Sequence, residues 1–421
     1  MAIPSISADP ERAADLQRSA EAVAELLRDA GCPEIEIVSA GGGPAVLGRF
    51  PAPEGQPTVC LYAHHDVQPT GDETLWTSPP FVAEQRGDRL FGRGSSDDKA
   101  GFAVHLAALR AFGGKPPVGV TVFVEGEEEV GSPTLAQILS EQHDKLRADV
   151  YVIADSGNWA VGEPAFTTTL RGLADCVVEV RTLDHAVHSG AYGGVAPDAL
   201  TALCRLLATL HDEAGNVAVE GLVRSEGPDL VYPPERLRAE SGVLDGVDYL
   251  GDGSVVERLW NRPAIAVIAL DTTPIARASN TLIPSARAKV SLRVAPGDDA
   301  QRALQCLRTH LETHAPWGAQ VTVTDGDTGE PAVIAFEGPV ADAARTAFTS
   351  AWGREPVLIG QGGSIPLVAE FAEAYPEAAV LVTAVGDPDS RPHGIDESLH
   401  LGDFEAACVA ETLFLQGLAG A

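Results

Sequence analysis

Five side chains of the kinds that bind metal ions are the most informative feature of this sequence. They are His64, Asp97, Glu129, Asp155 and His393, and each of the first four comes just after a predicted strand. Parallel strands bring their carboxyl ends to one edge of a sheet, where ligands and catalytic groups collect. Five such groups at one edge predict a site for two metal ions.

Neighbouring residues supply the other groups that metal-assisted hydrolysis needs. Glu128 precedes the candidate ligand Glu129 in VEGEEEVGS, so one carboxylate can hold a metal while the other takes a proton from metal-bound water. Asp66 comes two residues after His64 and can accept a hydrogen bond from its imidazole, which would fix the orientation of the ring. Asp97, in FGRGSSDDKAG, has two carboxylate oxygens and can bridge two ions about 3.5 to 4 Å apart.

Each motif also has an ordinary explanation when it is taken alone. The His64–Asp66 pair could cap a turn, the Ser and Asp residues near position 97 are typical of a helix N-terminus, and the Glu cluster could be a solvated loop. Asp155 could close a turn and His393 could be a surface histidine. The joint placement of the five favours a metal site, whose mixed imidazole and carboxylate ligands suit zinc, manganese or cobalt.

Alternating strands and helices must position these groups. The hydrophobic pattern predicts a helix over 10–30, strands over 34–38, 45–50 and 58–63, a helix over 99–112, a strand over 118–124, a helix over 134–146 and a strand over 149–155. The alternation resumes after about residue 330, with helices over 340–352, after 366 and from 404, and strands over 356–359 and 378–384. This order predicts a doubly wound α/β domain with a mostly parallel sheet.

The central part of the chain has a different order of elements. A strand over 174–182, a helix over 197–212, strands over 264–270 and 285–294, a helix over 298–314 and a strand over 320–324 form the ferredoxin-like α+β pattern. Residues 214–263 have no clear period and are predicted to be a long loop. We therefore expect a discontinuous catalytic domain over 1–170 and 329–421, with a lid and dimerisation domain inserted over 171–328.

Composition excludes several classes of function. The formal net charge of −31 argues against general binding to nucleic acid or to anionic membranes, which need clustered Lys and Arg. The six cysteines are far apart in sequence and are expected to be buried, reduced thiols. With neither an export signal nor a long apolar run, the sequence predicts a cytoplasmic location.

A set of motifs spread in order over the whole chain resembles the dinuclear metallopeptidases of the aminoacylase and carboxypeptidase G type. The motifs are YAHHDVQP, FGRGSSDDKAG, EGEEEVGS, LRGL, HSGAYGG, TLIP, SLRVAP, GQGGSIP and HGIDE. The forms HxDVQP, EGxEExGS and GGSIP are most similar to the carnosinase-type cytosolic dipeptidases. His65 departs from the Tyr that this branch often has there, and ASNTLIP mixes dipeptidase and deacylase features.

The resemblance assigns the metal ligands and the catalytic groups. It implies that one ion is held by His64, Asp97 and Asp155 and the other by Asp97, Glu129 and His393, with zinc the expected metal and manganese or cobalt as alternatives. It also implies that the Asp97–Asp98 peptide bond is cis.

Further roles come from motifs in the predicted lid domain. His188 matches a histidine that polarises the scissile carbonyl in the active site of the neighbouring subunit, so a homodimer is expected. Arg293 and Asn280 match residues that bind the substrate's carboxylate and the reacting oxygen. In GQGGSIP, the glycines, including Gly363, would let the backbone approach the substrate, and Ser364 would donate a hydrogen bond.

The predicted activity is metal-dependent hydrolysis of the amide bond in dipeptides or short peptides with a free C-terminal carboxylate. In this hypothesis a hydroxide that bridges the two metals attacks the carbonyl, with Glu128 as general acid and base. An N-acyl-amino-acid deacylase or desuccinylase is the first alternative. A non-catalytic peptide-binding relative is the second, and the presence of every ligand and of Glu128 argues against it.

Overall fold

The computed structural model describes residues 1–363 and 366–420, with only the backbone of Pro366. The chain forms two compact units. The first consists of Met1–Thr168, Ile334–Ile359 and Pro366–Ala421, and the second of Thr169–Val333 and Gly360–Ile365.

The longer strands follow the alternating and continuous apolar runs of the sequence. They are β1 Glu34–Val38, β2 Ala45–Phe50, β3 Thr58–His64, β4 Glu84–Arg86, β5 Arg89–Phe91, β6 Gly119–Glu125, β7 Val150–Gly157, β8 Ala165–Leu170, β9 Gly172–Arg181, β10 Val187–His188, β11 Ala264–Asp271, β12 Thr281–Leu282, β13 Ser285–Val294, β14 Gln320–Gly329, β15 Ala332–Val333, β16 Val357–Gln361, β17 Ala379–Gly386 and β18 Ser398–His400.

Most of the α-helices coincide with segments of helical periodicity. They are α1 Ala13–Asp29, α2 Lys99–Ala111, α3 Leu135–Glu141, α4 His143–Leu146, α5 Ser189–Tyr192, α6 Ala199–Ala208, α7 Pro234–Ser241, α8 Ala300–Thr313, α9 Gly338–Trp352, α10 Pro366–Ala374 and α11 Leu401–Leu418. Short 3-10 helices span Pro10–Arg12, Glu73–Leu75, Glu128–Val130, Ile275–Arg277 and Pro316–Gly318, and a π-helical turn spans Glu257–Asn261.

A mixed sheet forms the centre of the first unit, in the order β1-β2-β6-β3-β7-β17-β8. The pairs β6/β3, β3/β7 and β7/β17 are parallel, whereas β1/β2, β2/β6 and β17/β8 are antiparallel. Strand β3 is therefore central, and all but its first residue are buried, as expected for a strand covered on both faces. The α/β fold class with a parallel central region is confirmed.

Helices cover both faces of this sheet. Alternate residues of β3, such as Leu61, join one apolar cluster with α1, α2, α9 and α11. The intervening Tyr62 points to the other face, where its ring lies 6.4 Å from that of Phe371 on α10. A three-layer packing of this kind fixes the carboxyl ends of β3, β6 and β7, where the candidate ligands His64, Glu129 and Asp155 lie.

A three-stranded sheet in the first unit joins distant parts of the chain. Its order is β18-β5-β4, and Ser398 pairs with Phe91. This pairing places the HGIDE segment, which precedes β18, beside the FGRGSSDD segment, which follows β5. Two of the sequence motifs are thereby brought into contact by strands only three residues long.

The second unit contains an antiparallel sheet in the order β11-β13-β9-β14. Its helices α6 and α8 pack with the sheet around a separate apolar core. The chain order β9-α6-β11-β13-α8-β14 is the predicted ferredoxin-like order.

Several details differ from the predictions. The predicted helix over 134–146 is two helices, α3 and α4, which meet at the non-helical Gln142. Strand β8 was not predicted, and the predicted long loop over 214–263 contains α7 and the π-helical turn. All six cysteines are free, but the expectation that they are buried is wrong for Cys204, which is exposed, and for Cys306 and Cys408, which are partly exposed. Within the described part of the chain, no helix is both long and apolar enough to cross a membrane.

Candidate metal centre

His64 is the last residue of the central strand β3, and its side chain is completely buried. Its Nδ1 lies 3.1 Å from the backbone oxygen of Asp66 and 3.3 Å from Oδ1 of the same residue. Its Nε2 lies 3.0 Å from Oδ1 of Asp97. Burial alone would lower the pKa of His64, but the hydrogen bonds to Asp66 and Asp97 outweigh burial and raise that pKa well above its usual value.

Asp97 lies between two histidines. Its Oδ1 faces His64, and its Oδ2 lies 2.9 Å from Nε2 of His393. Burial would raise the pKa of Asp97, but hydrogen bonds from the two imidazoles lower it below its usual value. One carboxylate thus presents a separate oxygen to each imidazole, which is the arrangement expected of a ligand that bridges two metal ions. The Asp97–Asp98 peptide bond is cis, as expected.

Glu129 completes the side of the site that contains His393. Its Oε2 lies 3.2 Å from Nε2 of His393. Gln68 fixes this carboxylate, because its backbone N–H donates to Oε1 at 3.0 Å and its side-chain amide donates to Oε2 at 2.8 Å. His393 itself is more than half exposed and has a left-handed backbone, with φ of 62°.

Glu128 and Asp155 lie on the side of the site that contains His64. Glu128 Oε2 is 3.9 Å and Asp155 Oδ1 is 4.0 Å from Nε2 of His64. Burial and the negative charges of Asp97 and Glu129 raise the pKa of Asp155 to about 7. Burial, with the charge of Asp155, also raises the pKa of Glu128 well above its usual value. The repulsion among crowded carboxylates of this kind is reduced when cations bind among them.

Asp66 connects the two sides of the site. Besides its contact with His64, its carboxylate accepts hydrogen bonds from the backbone N–H groups of Glu128 at 3.3 Å and Glu129 at 3.1 Å. It is fully buried, and although burial opposes its charge, the contact with His64 lowers its pKa. Asp66 can therefore orient the imidazole and the two glutamates together.

Asp98 is a competing candidate ligand, since its carboxylate lies within 4.8 Å of donor atoms of His64 and Asp155. Its oxygens, however, accept hydrogen bonds from the backbone N–H groups of His64 at 3.2 Å and Gly101 at 3.1 Å. Asp98 therefore caps helix α2, and Asp97 is the better bridging ligand. The donor set of two imidazoles and three carboxylates fits two divalent cations such as zinc.

His65 does not lie among the candidate ligands, and its contacts are with the backbone of neighbouring segments. It is buried, its Nε2 lies 2.8 Å from the backbone oxygen of Pro44, and its N–H donates to the backbone oxygen of Glu125 at 2.8 Å. Burial lowers its pKa to about 4, so the ring is neutral near pH 7.

The second unit holds the other residues that the sequence selected. His188 is exposed on β10, and the N–H of its neighbour Ser189 donates to the backbone oxygen of Asn280 at 2.9 Å, which brings these two predicted residues together. The His188 Nδ1 accepts from the N–H of Gly190 at 3.0 Å. A neutral ring must therefore carry its proton on Nε2, where it can donate to a substrate oxygen.

Arg293 lies on β13, partly exposed, and forms no ion pair with a described residue. Nearby Arg171 is buried and donates to backbone oxygens of described residues, among them Gly362 at 3.3 Å. Burial, followed by the charge of Arg293, lowers the pKa of Arg171 to about 10. These two guanidinium groups make a positive region in the second unit that suits a carboxylate.

The GQGGSIP motif is only partly described. A methyl group at Gly363 would meet no atom of a described residue within 4 Å, its chain neighbours aside. The predicted hydrogen-bond donor Ser364 lies outside the described residues.

Three residues that hold the site were not singled out from the sequence. Gln68, Arg93 and Glu397 all lie within quoted motifs, in HHDVQP, FGRG and HGIDE. Their roles depend on hydrogen bonds to side-chain and backbone groups that are distant in sequence, which no local pattern encodes.

Comparison with known proteins assigns a family to this geometry. The family model described as Peptidase family M20/M25/M40 matches residues 60–416. A Cysteinylglycine-S-conjugate dipeptidase of Corynebacterium striatum is 35% identical over 415 residues, which cover 96% of this chain and 91% of that protein. The human Beta-Ala-His dipeptidase is 26% identical over 85% of this chain and 74% of its own length.

Solved structures share the fold. The dipeptidase Dug1p of Saccharomyces cerevisiae has a TM-score of 0.82 at 23% identity, covering 100% of this chain and 94% of its own. Human carnosine dipeptidase 1 also has a TM-score of 0.82, at 24% identity and with the same coverage. At this level of identity these two structures support the architecture alone.

Proposed function

Because the chain belongs to peptidase family M20/M25/M40, we propose that it is a metal-dependent dipeptidase that hydrolyses the amide bond of dipeptides or short peptides with a free C-terminal carboxylate. The proposal rests on the position of Asp97, which has one carboxylate oxygen close to His64 and the other close to His393. The carboxyl group of Glu128 lies beside them and accepts no hydrogen bond from a described residue. Relatives named as dipeptidases for Cys-Gly conjugates and for β-Ala-His support the substrate class.

The residues that would hold the metal divide into two sets around the shared Asp97. His64 and Asp155 would complete one set, and Glu129 and His393 the other. We propose two ions, with zinc as the first candidate and manganese or cobalt as alternatives. Bound divalent cations supply Lewis acidity, which polarises a carbonyl group and makes a water molecule more acidic.

The protein's own residues would carry the proton transfers. Glu128 takes a proton from the attacking water and later gives it to the departing amine, so that no net proton is gained or lost at this carboxyl group. Its raised pKa is caused first by burial and then by the charge of Asp155, and cations bound beside it would lower that pKa toward a value useful for a base. Asp66 keeps His64 and the backbone of Glu128 in place during both steps.

The second unit would bind the ends of the substrate. We propose that His188 Nε2 donates to the carbonyl oxygen as negative charge develops there, from the partner subunit of a homodimer. Arg293 would bind the C-terminal carboxylate through its planar guanidinium group, and Asn280 and the GQGGSIP segment, including Gly363 and Ser364, would contact the remaining polar groups.

A substrate panel tests the proposal directly. The zinc-loaded protein is assayed with Cys-Gly, β-Ala-His and Ala-Ala, and in parallel with N-acetyl and N-succinyl amino acids. We expect kcat/KM to be at least tenfold higher for one or more of the dipeptides, and turnover to become slow when the peptide C-terminus is amidated. Faster hydrolysis of the acyl amino acids would show a deacylase instead, and no hydrolysis of either class by protein that contains metal would indicate a binding protein.

A further inference from the structure

A buried carboxylate near the candidate metal centre accepts hydrogen bonds from the backbone of the loop that contains Asp97. Glu397 is 0% exposed. Its Oε1 accepts from the N–H and the hydroxyl of Ser96, at 2.9 and 3.1 Å, and from the N–H of Asp97 at 3.1 Å. Its Oε2 accepts from the N–H of Gly94 at 2.9 Å and from Arg93 Nη1 at 2.8 Å. Five donors thus converge on one carboxylate, which fixes the turn that presents Asp97.

Arg93 extends this arrangement to the other candidate ligands. It is 1% exposed, and its Nη2 donates to the backbone oxygens of Pro69 at 3.0 Å and His393 at 3.3 Å. Pro69 is the last residue of the YAHHDVQP segment, which starts at Tyr62 and contains His64. One guanidinium group therefore touches both segments that supply the histidines.

The His393 segment needs such support. Arg391, His393 and Asp396 all have positive φ values, of 52°, 62° and 58°, which non-glycine residues rarely adopt unless their surroundings hold them. The His393 side chain is 58% exposed, so packing around the imidazole does little to fix it. Its backbone contact with Arg93 is a link that helps to hold it opposite Asp97.

We propose that Glu397 and Arg93 are positioning residues that set the separation of His64, Asp97 and His393 and thereby determine how tightly the metal ions are held. This inference rests on the proposed function, because it assumes that these side chains bind metal. Neither residue contacts a metal or a substrate in this proposal. Their effect is exerted through the backbone of the ligand segments.

The substitution Glu397→Gln tests this with minimal change of shape. The amide group cannot accept hydrogen bonds through its nitrogen, so either the Oε1 or the Oε2 set of donors loses its acceptor, and Arg93 loses its buried counter-charge. The Asp97 turn is then free to shift. Zinc affinity should fall by about 10- to 100-fold, as is typical when groups that orient metal ligands are removed.

A matched control comes from a second buried ion pair in the same unit. Glu411 contacts His105 Nδ1 at 2.8 Å, and the other ring nitrogen of His105 lies 2.9 Å from the backbone oxygen of Tyr62. This pair is also buried, and among the described residues it makes no hydrogen bond to the turn at 94–97 or to His393. Glu411→Gln should therefore lower the melting temperature of the metal-free protein while leaving zinc affinity within about twofold of the wild type.

The measurement is zinc affinity and stoichiometry, obtained by competition with a chromophoric chelator, together with the melting temperature of each metal-free protein. Arg93→Lys, which keeps the charge but loses the forked contacts, should also weaken zinc binding, and Glu397→Asp, which keeps both oxygens, should recover part of the affinity lost in Glu397→Gln. If Glu397→Gln does not fold, the zinc affinities of Arg93→Lys and Glu397→Asp are compared with that of Glu411→Gln instead.

The possible outcomes separate the two proposals. Wild-type zinc affinity in a folded Glu397→Gln protein, or an equal loss in Glu411→Gln, would overturn the positioning role while leaving the proposed function intact. A wild-type protein that binds no zinc, manganese or cobalt would instead refute the metal site, and with it the proposed function. A selective loss in the Glu397 and Arg93 variants would support the inference.

Discussion

Replacing Glu128 with Gln is the sharpest test of the proposed chemistry. The change removes one negative charge and the ability to take a proton, but keeps the size of the side chain. The Glu128 carboxylate lies 3.9 Å from His64 Nε2, beyond hydrogen-bond distance, and no described residue donates to it. The hydrogen bond from the Glu128 N–H to Asp66 involves only the backbone and should persist. Folding and metal content are therefore expected to stay unchanged.

The expected loss lies in the catalytic rate. A positioned general acid or base contributes about 10²- to 10⁴-fold, which corresponds to about 3 to 5 kcal/mol of the barrier. We expect kcat of Glu128→Gln to fall by at least this factor on dipeptides, with little change in KM. Because the side chain is only 16% exposed, bulk water cannot easily replace it as a proton acceptor.

The assay pairs turnover with metal analysis, and Glu129→Gln is the matched comparison. Glu129 is the adjacent residue but contacts His393 and both donors of Gln68, so its substitution should lower the metal content as well as the activity. A Glu128→Gln protein with a full metal content and more than about a tenth of wild-type kcat would remove Glu128 from the role of acid and base. Equal metal loss in the two variants would show that Glu128 is a ligand.

Three further predictions concern the second unit and the effect of pH. His188→Ala should lower kcat by about 10²- to 10³-fold without changing metal content, because it removes a donor to the developing oxyanion; unchanged kcat in steady-state assays would reject this role. Arg293→Lys should lower kcat/KM for dipeptides by about 10- to 100-fold and leave the slow turnover of C-terminally amidated peptides unchanged. An equal loss of kcat/KM on both kinds of substrate would argue against carboxylate binding. The pKa of Asp155 is raised from 3.8 to about 7, chiefly by burial and nearby carboxylates. The pKa of His393 is raised from 6.5 to about 10, chiefly by hydrogen bonds to Asp97 and Glu129. Folding therefore takes up protons at these groups, and the stability they contribute is complete below their unfolded pKa values and lost as pH rises through about 7 and about 10. The melting temperature of the metal-free protein should fall between pH 6 and pH 10 while zinc affinity rises, and calorimetry showing a rise in stability for the metal-free protein would contradict these assignments.

The order and type of the main elements could be predicted because their residues carry strong local patterns. The continuous apolar run over 58–63 is typical of a strand covered on both faces, and β3 occupies that position at the centre of the sheet. The convergence of His64, Glu129 and Asp155 followed from the rule that parallel strands present their carboxyl ends at one edge. Asp97 follows the antiparallel strand β5, so its place beside them, like that of His393, followed from the motif resemblance.

Other features depend on contacts that no local pattern records. Strands β5 and β18 have three residues each and gain their structure from pairing across about 300 positions of sequence, so they were not predicted. The break between α3 and α4 at Gln142 falls within a segment whose apolar spacing is otherwise helical. The role of Glu397 could not be predicted from the sequence either, since its partners are mostly backbone N–H groups of the turn at 94–97. That turn and Glu397 are brought together by the pairing of β5 with β18.

Anomalous diffraction from crystals of the zinc-loaded protein tests the central claim most directly. Two peaks about 3.5 to 4 Å apart are expected, with one oxygen of Asp97 directed at each peak, and both should be lost in Asp97→Ala. A single peak, or two peaks that persist without the Asp97 carboxylate, would contradict the shared-aspartate centre on which the proposed function depends.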